Sequence, residues 1–165
     1  MADRVVVLGV DPGTIVTGYG VVALEGGALK ALHWGSVRTS SKVPLAERLS
    51  RIHAGIVQQI ETHRPDVFAI ENVFQSKNVR SALTLGHARG VAMLAAAQAG
   101  LPVFEYAPRE VKQSVVGIGS ASKEQVGAMI NRLLGVPDEE RREDESDALA
   151  VAVCHLHKAG TALTR

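Results

Sequence analysis

Four carboxylates stand at places in this chain where an acid is costly. Asp11 ends the nearly charge-free run Val5-Val6-Val7-Leu8-Gly9-Val10, and Glu71 ends Val67-Phe68-Ala69-Ile70. Asp144 and Asp147 stand three residues apart at the start of the last helical stretch. A carboxylate at the end of a buried strand is strongly destabilising unless positive charge compensates it. No lysine or arginine follows Asp11 or Glu71 closely enough to pair with it locally. A hard divalent cation is the simplest compensation, because Mg²⁺ takes carboxylate oxygens and keeps waters for chemistry. Any one of these acids can equally cap a helix or begin a turn. The set of four points to a metal site.

The elements that must position them follow from periodicity. Residues 4–10 are apolar nearly throughout, which predicts a central strand buried on both faces. Asp11-Pro12-Gly13 is a turn signal, Gly18 to Leu24 a second strand, Gly26-Gly27 another turn, and Leu29 to Val37 a third strand. Pro44 opens a helix with apolar residues at Leu45, Leu49, Ile52, Ile56 and Ile60, and Val67 to Val73 reads as the fourth strand. A long helix is expected from Asn78 to Ala99, a fifth strand from Val103 to Tyr106, and a short helix from Pro108 to Val116. Ser122 and Gln125 form a capping box for a helix that ends at Gly135. The last helix is expected over Asp144 to Lys158, with His155, His157 and Lys158 facing its C-terminal dipole. Residues 159–165 are expected to fray.

The order βββαβαβ followed by helices predicts an α/β fold, a five-stranded mixed sheet with helices on both faces. The first and fourth strands, both wholly apolar, belong side by side in its middle. That arrangement brings Asp11 next to Glu71, and the last helix can add Asp144 and Asp147.

A length of 165 residues suits one domain spanning 1–165, and 46% apolar against 21% charged residues suits a globular chain. The single cysteine, Cys154, excludes an internal disulfide and reads as buried packing on a helical face. No Cys/His spacing suits zinc. The apolar run before Asp11 is too short for a signal-peptide core, and the uncharged stretch from Gly90 to Phe104 is broken by Gly100 and Pro102. A cytoplasmic protein is expected. The net charge of +1 hides an asymmetry. Lys77, Arg80, Arg89, Arg109, Lys112 and Lys123 face only Glu105 and Glu110 over residues 75–123, whereas residues 138–147 are mostly acidic. A polyanion would meet the first region, and metal the second.

The chain resembles the RuvC-type Holliday junction resolvases. The resemblance runs from Leu8-Gly9-Val10-Asp11-Pro12-Gly13-Thr14, through Ile70-Glu71-Asn72-Val73-Phe74, Ser76-Lys77-Asn78 and Leu85-Gly86-His87-Ala88-Arg89-Gly90, to Val111-Lys112-Gln113-Ser114 and Asp147-Ala148-Leu149-Ala150. Each motif is weak alone, and their order and spacing together are specific. The resemblance implies a ribonuclease H-like fold and an endonuclease that resolves four-way DNA junctions by paired symmetric nicks. It implies two Mg²⁺ ions per site, with Mn²⁺ as a substitute, on Asp11, Glu71, Asp144 and Asp147. It also implies a homodimer that acts with a RuvA–RuvB branch-migration complex.

By the same resemblance Lys112 and Lys123 contact DNA and Phe74 stacks on unpaired bases. The basic stretch adds Lys77 and Arg80 as DNA-binding candidates. On residue type alone, each lysine reads as a solvated charge, and Phe74 as core or as a stacking platform. The long helix, with Ala82, Gly86 and Gly90 at four-residue spacing, either packs on its own sheet or meets a second copy.

Three other readings compete. Asp11-Pro12-Gly13-Thr14 also fits the phosphate loop of actin/hexokinase-type phosphotransferases, but the chain lacks the second domain and second loop that fold needs. A ribonuclease H cutting RNA–DNA hybrids shares the carboxylates but not the downstream motifs. A junction-binding module without cutting has no use for four intact acids.

Overall fold

A computed structural model describes residues 4–72 and 78–162. Strands β1 (Arg4–Asp11), β2 (Val16–Glu25) and β3 (Ala28–Arg38) form an antiparallel meander. Helix α1 (Leu45–His63), strand β4 (Val67–Glu71), helix α2 (Val79–Gln98) and strand β5 (Val103–Tyr106) follow. Helices α3 (Pro108–Val116) and α4 (Lys123–Leu134), a 3₁₀ turn at Asp138–Glu140 and helix α5 (Glu143–Ala162) complete the chain. The sheet order is β3-β2-β1-β4-β5, with β1 antiparallel to β2 and parallel to β4, and β5 parallel to β4. The expected five-stranded mixed sheet is present, with β1 central and β4 beside it.

Strand alternation decides which way the acids point. On β1, Val6, Leu8 and Val10 pack with Ile52, Ile56, Ala88 and Ala92 of α1 and α2. Val7 lies on the opposite face, in the core made with α3, α4 and α5. On β4, Phe68 and Ile70 face α1 and α2, and Ala69 faces the other side. Continuing each alternation puts Asp11 and Glu71 on the α5 side, at the ends of strands whose register pairs Val10 with Ile70.

Helix α5 reaches them because glycines stand where it crosses the strands beneath it. Gly18 lies opposite Asp11 in the β1–β2 ladder. A β-carbon there would collide with the backbone of Asp144, and one at Gly9 with Ala148 and Ala152. The helix therefore lies almost on the backbone of the sheet, which sets its first turn beside Asp11.

Helix α5 also runs further than expected. It continues to Ala162, two residues past Gly160, where the sequence reading has the tail fraying. His155 is consequently not a dipole cap. It is 7% exposed, and its Nδ1 shares a 2.7 Å hydrogen bond with the hydroxyl of Tyr106. Cys154 is buried, as its helical face suggested. Ser122 and Gln125 form the expected capping box, Ser122 N–H donating to Gln125 at 2.8 Å and Gln125 N–H to Ser122 at 3.1 Å. Among the described residues no helix is long and apolar enough to cross a membrane.

Candidate active site

The end of the sheet brings together the four carboxylates singled out from sequence. Asp11 and Glu71 share a hydrogen bond, and each feels the negative charge of Asp147 from the first turns of α5. Burial, reinforced by the charges of Glu71, Asp147 and Asp144, pushes the Asp11 carboxyl up to about 8. Burial and Asp147 raise Glu71, while its bond to Asp11 and the lysines 123 and 112 pull it down. Asp147 is raised by burial against the opposing pull of Lys123. The second oxygen of Asp144, Oδ2, is buried without a hydrogen-bond partner. An orphaned buried oxygen beside a carboxyl pushed up to about 8 leaves the cluster short of positive charge, and a hard cation is the group that supplies it. The donor set is all oxygen, which suits Mg²⁺ or Mn²⁺. The four acids ring the strand ends loosely: among the described residues no three His, Cys, Asp or Glu are drawn together tightly enough to enclose an ion.

The start of α5 is fixed by a buried arginine that sequence reasoning passed over. The Arg141 side chain is 1% exposed. Its guanidinium donates to Gly127 O at 2.6 Å and to Val136 O, Asp138 and Ser146. This ties α5 to α4 just before Asp144. The loop after Asp11 is locked by Thr17, fully buried, whose hydroxyl donates to Gly13 O at 2.6 Å and accepts from Gly13 N–H at 3.2 Å.

The cations are brought in from distant segments. Lys123, at the first turn of α4, pairs with Glu143 and lies 3.8 Å from Asp147. The hydrogen bond to Glu143 raises its ammonium above the usual lysine range. Lys112, on α3, lies near enough to act on both Glu71 and Asp147. Arg80 lines a cleft of about 320 Å³ with Ser81, Thr84 and Leu85 of α2 and with Thr14 from the loop after Asp11. Phe74 and Lys77 lie outside the described residues. A separate cavity of about 620 Å³ between α3 and α5, lined by Arg109, Gln113, His157 and Lys158 among others, contains none of the four acids.

Other contacts at the site were not anticipated. Arg38 Nη2 lies 3.8 Å from Asp144 Oδ1. Arg89, on α2, donates from Nε to the backbone carbonyl of Glu71 at 3.3 Å and pairs with Glu105 on β5. Each is long-range in sequence. The ladder pairing Val16 with Arg38 is the signal that placed Arg38 here, and it depends on a register that sequence leaves open.

Residues 7–155 match the family model for crossover junction endodeoxyribonuclease RuvC. The chain belongs to the RuvC family. A crossover junction endodeoxyribonuclease RuvC of Pelotomaculum thermopropionicum is 51% identical over 151 residues, covering 92% of each chain. One from Geotalea uraniireducens is 52% identical over 153 residues, 93% of this chain and 89% of that one. Among solved structures, T. thermophilus RuvC in complex with Holliday junction substrate superposes with a TM-score of 0.90 at 38% identity, covering 96% of both chains. The yeast mitochondrial Holliday junction resolvase Ydc2, 13% identical with a TM-score of 0.67, shares the fold. Against the family members the sheet, its order and the helices on both faces are those of a ribonuclease H-like α/β fold.

Proposed function

We propose that this protein is a crossover junction endodeoxyribonuclease, which cuts four-way DNA junctions with two divalent ions held by Asp11, Glu71, Asp144 and Asp147. The observation that carries the reading is the convergence of four half-buried carboxylates, one with an orphaned oxygen, in a chain that belongs to the RuvC family. Bound divalent ions supply an activated water, charge neutralisation on phosphorus and a stabilised leaving oxygen for in-line phosphodiester hydrolysis. Asp11, at the end of the central strand, would be the acid common to both ions. Glu71 on β4 would hold one and Asp144 on α5 the other. Asp147 would add a ligand directly or through water. Lys112 and Lys123 hold the phosphates of the cut strand, with the N–H groups of the first turn of α4 beside Lys123. Arg80 meets the backbone further along; Lys77 is a further proposed phosphate contact, and Phe74 the proposed platform for unpaired bases. Mg²⁺ is the ion proposed for the cell, and RuvA and RuvB the branch-migration partners.

A four-way junction needs two symmetric cuts, which a C₂ dimer provides. Helix α2 carries a surface suited to it. Val79, Leu83 and Leu94 are 76%, 62% and 49% exposed, and with Gly86 and Gly90 they form one stripe at helical spacing. A β-carbon at Gly86 or Gly90 would meet nothing within 4 Å, so these glycines are not packed on the protein's own sheet. Ala88, Ala92, Ala95 and Ala96 do that packing from the other side of the helix.

The test is a synthetic mobile four-way junction incubated with the protein and Mg²⁺, with the nicks mapped. The native protein is expected to give paired, symmetric nicks that resolve the junction into linear duplexes. Gly90→Glu is expected to sediment as a monomer, keep its helical circular dichroism and leave nicks unpaired. A native protein that leaves the junction intact overturns the function. A Gly90→Glu protein that stays dimeric and resolves junctions places the subunit contact elsewhere.

A further inference from the structure

We infer that Arg38 is an exchangeable cationic arm, paired with Asp144 while that carboxylate is free and turned to a DNA phosphate once a divalent ion takes it. The inference rests on the metal-dependent junction cutting proposed above. Arg38 is the last residue of β3, and the residue after it is bonded to the loop that leaves Asp11. Thr39 N–H donates to Ile15 O at 2.8 Å, and the Thr39 hydroxyl donates to Thr14 O at 2.6 Å. The backbone from which Arg38 projects is thus held in fixed relation to the carboxylate cluster.

The side chain itself is loosely held. It is 47% exposed, and its one ion-pair partner among the described residues is Asp144, at 3.8 Å. That contact engages Oδ1 and leaves Oδ2 buried and without a hydrogen bond. Ion pairs of such exposure are weak and readily exchanged. A cation on Asp144 removes the charge that holds Arg38, and the planar guanidinium then fits a phosphate better than an ammonium does, because it can donate two parallel hydrogen bonds. Lys123 stands in a corresponding relation to Asp147, also at 3.8 Å, but comes from α4 instead of β3. A DNA strand laid over the cluster meets a cation from each of these two elements, one beside Asp144 and one beside Asp147.

The exchange predicts effects of opposite sign on the two ligands. Arg38→Ala removes a charge that competes with metal for Asp144, so Mn²⁺ binding to the DNA-free protein, followed by the free-ion electron paramagnetic resonance signal, is expected to tighten by about two- to fivefold. Four-way junction affinity in Ca²⁺ is expected to fall, with the slope of log K against log salt reduced by about one. Arg38→Lys keeps the charge and is expected to restore the salt slope. Weaker Mn²⁺ binding in Arg38→Ala, with lowered junction affinity, makes Arg38 a structural residue and overturns the exchange. An unchanged salt slope overturns the phosphate contact. A native protein that fails to bind the junction sinks the proposed function instead, and the Mn²⁺ measurement, which uses no DNA, still decides whether Arg38 competes for Asp144.

Discussion

Replacing Asp11 by Asn is expected to abolish junction cutting while leaving junction binding close to its native value. The substitution keeps the side chain's size and its place at the end of β1, where Gly18 lies opposite. It removes the one charge proposed to serve both ions. A loss of about a thousandfold or more is expected, a barrier higher by about 4 kcal/mol. Binding is proposed to rest on phosphate contacts from Lys112 and Lys123, which the substitution leaves in place. Gel-shift affinity in Ca²⁺ and nicking in Mg²⁺ measured side by side distinguish the two roles. Equal loss of both would make Asp11 a structural residue.

The same carboxyl makes the metal-free protein sensitive to pH in a direction that can be stated in advance. Its pKa is raised from 3.8 to about 8 in the fold, so the folded state binds more protons than the unfolded chain between those values. The stability this confers is fully present below the unfolded value and is lost as pH rises through about 8. Glu71 and Asp147 are raised as well and add to the same trend. In urea unfolding with chelator, the native protein is expected to lose about 1–3 kcal/mol between pH 5.5 and 8.5 relative to Asp11→Asn. Added Mg²⁺ should reverse the loss in the native protein, because a ligand bound only by the folded state stabilises it. Parallel stability curves for the two proteins would mean that the cluster carries no such strain.

The parts of this site legible in sequence are those set by local pattern. Two apolar runs ending in an acid can be central strands, and strand alternation then turns both acids to one face. A paired acid opening a helix can likewise be read from its spacing. What sequence does not carry is the crossing of α5 over the sheet. Gly9 and Gly18 read as ordinary strand residues, yet their missing side chains let α5 lie against the backbone and deliver Asp144 to the site. Charge alone places His155 at a helix end; it is instead buried, because the helix runs on and this side chain meets Tyr106 and Phe104 of β5. Arg38, Arg89 and Glu143 reach the cluster through ladder register and helix packing, long-range contacts with no local signature. The buried Arg141 lies inside an acidic run, where no local pattern marks a buried cation.

The central claim is that the four carboxylates hold two divalent ions. Crystals grown with Mn²⁺ and four-way junction DNA, measured for anomalous scattering, test it directly. The account predicts two peaks about 3.5–4 Å apart among Asp11, Glu71, Asp144 and Asp147, with Asp11 touching both. Manganese bound elsewhere, with these four side chains free of it, would contradict the account.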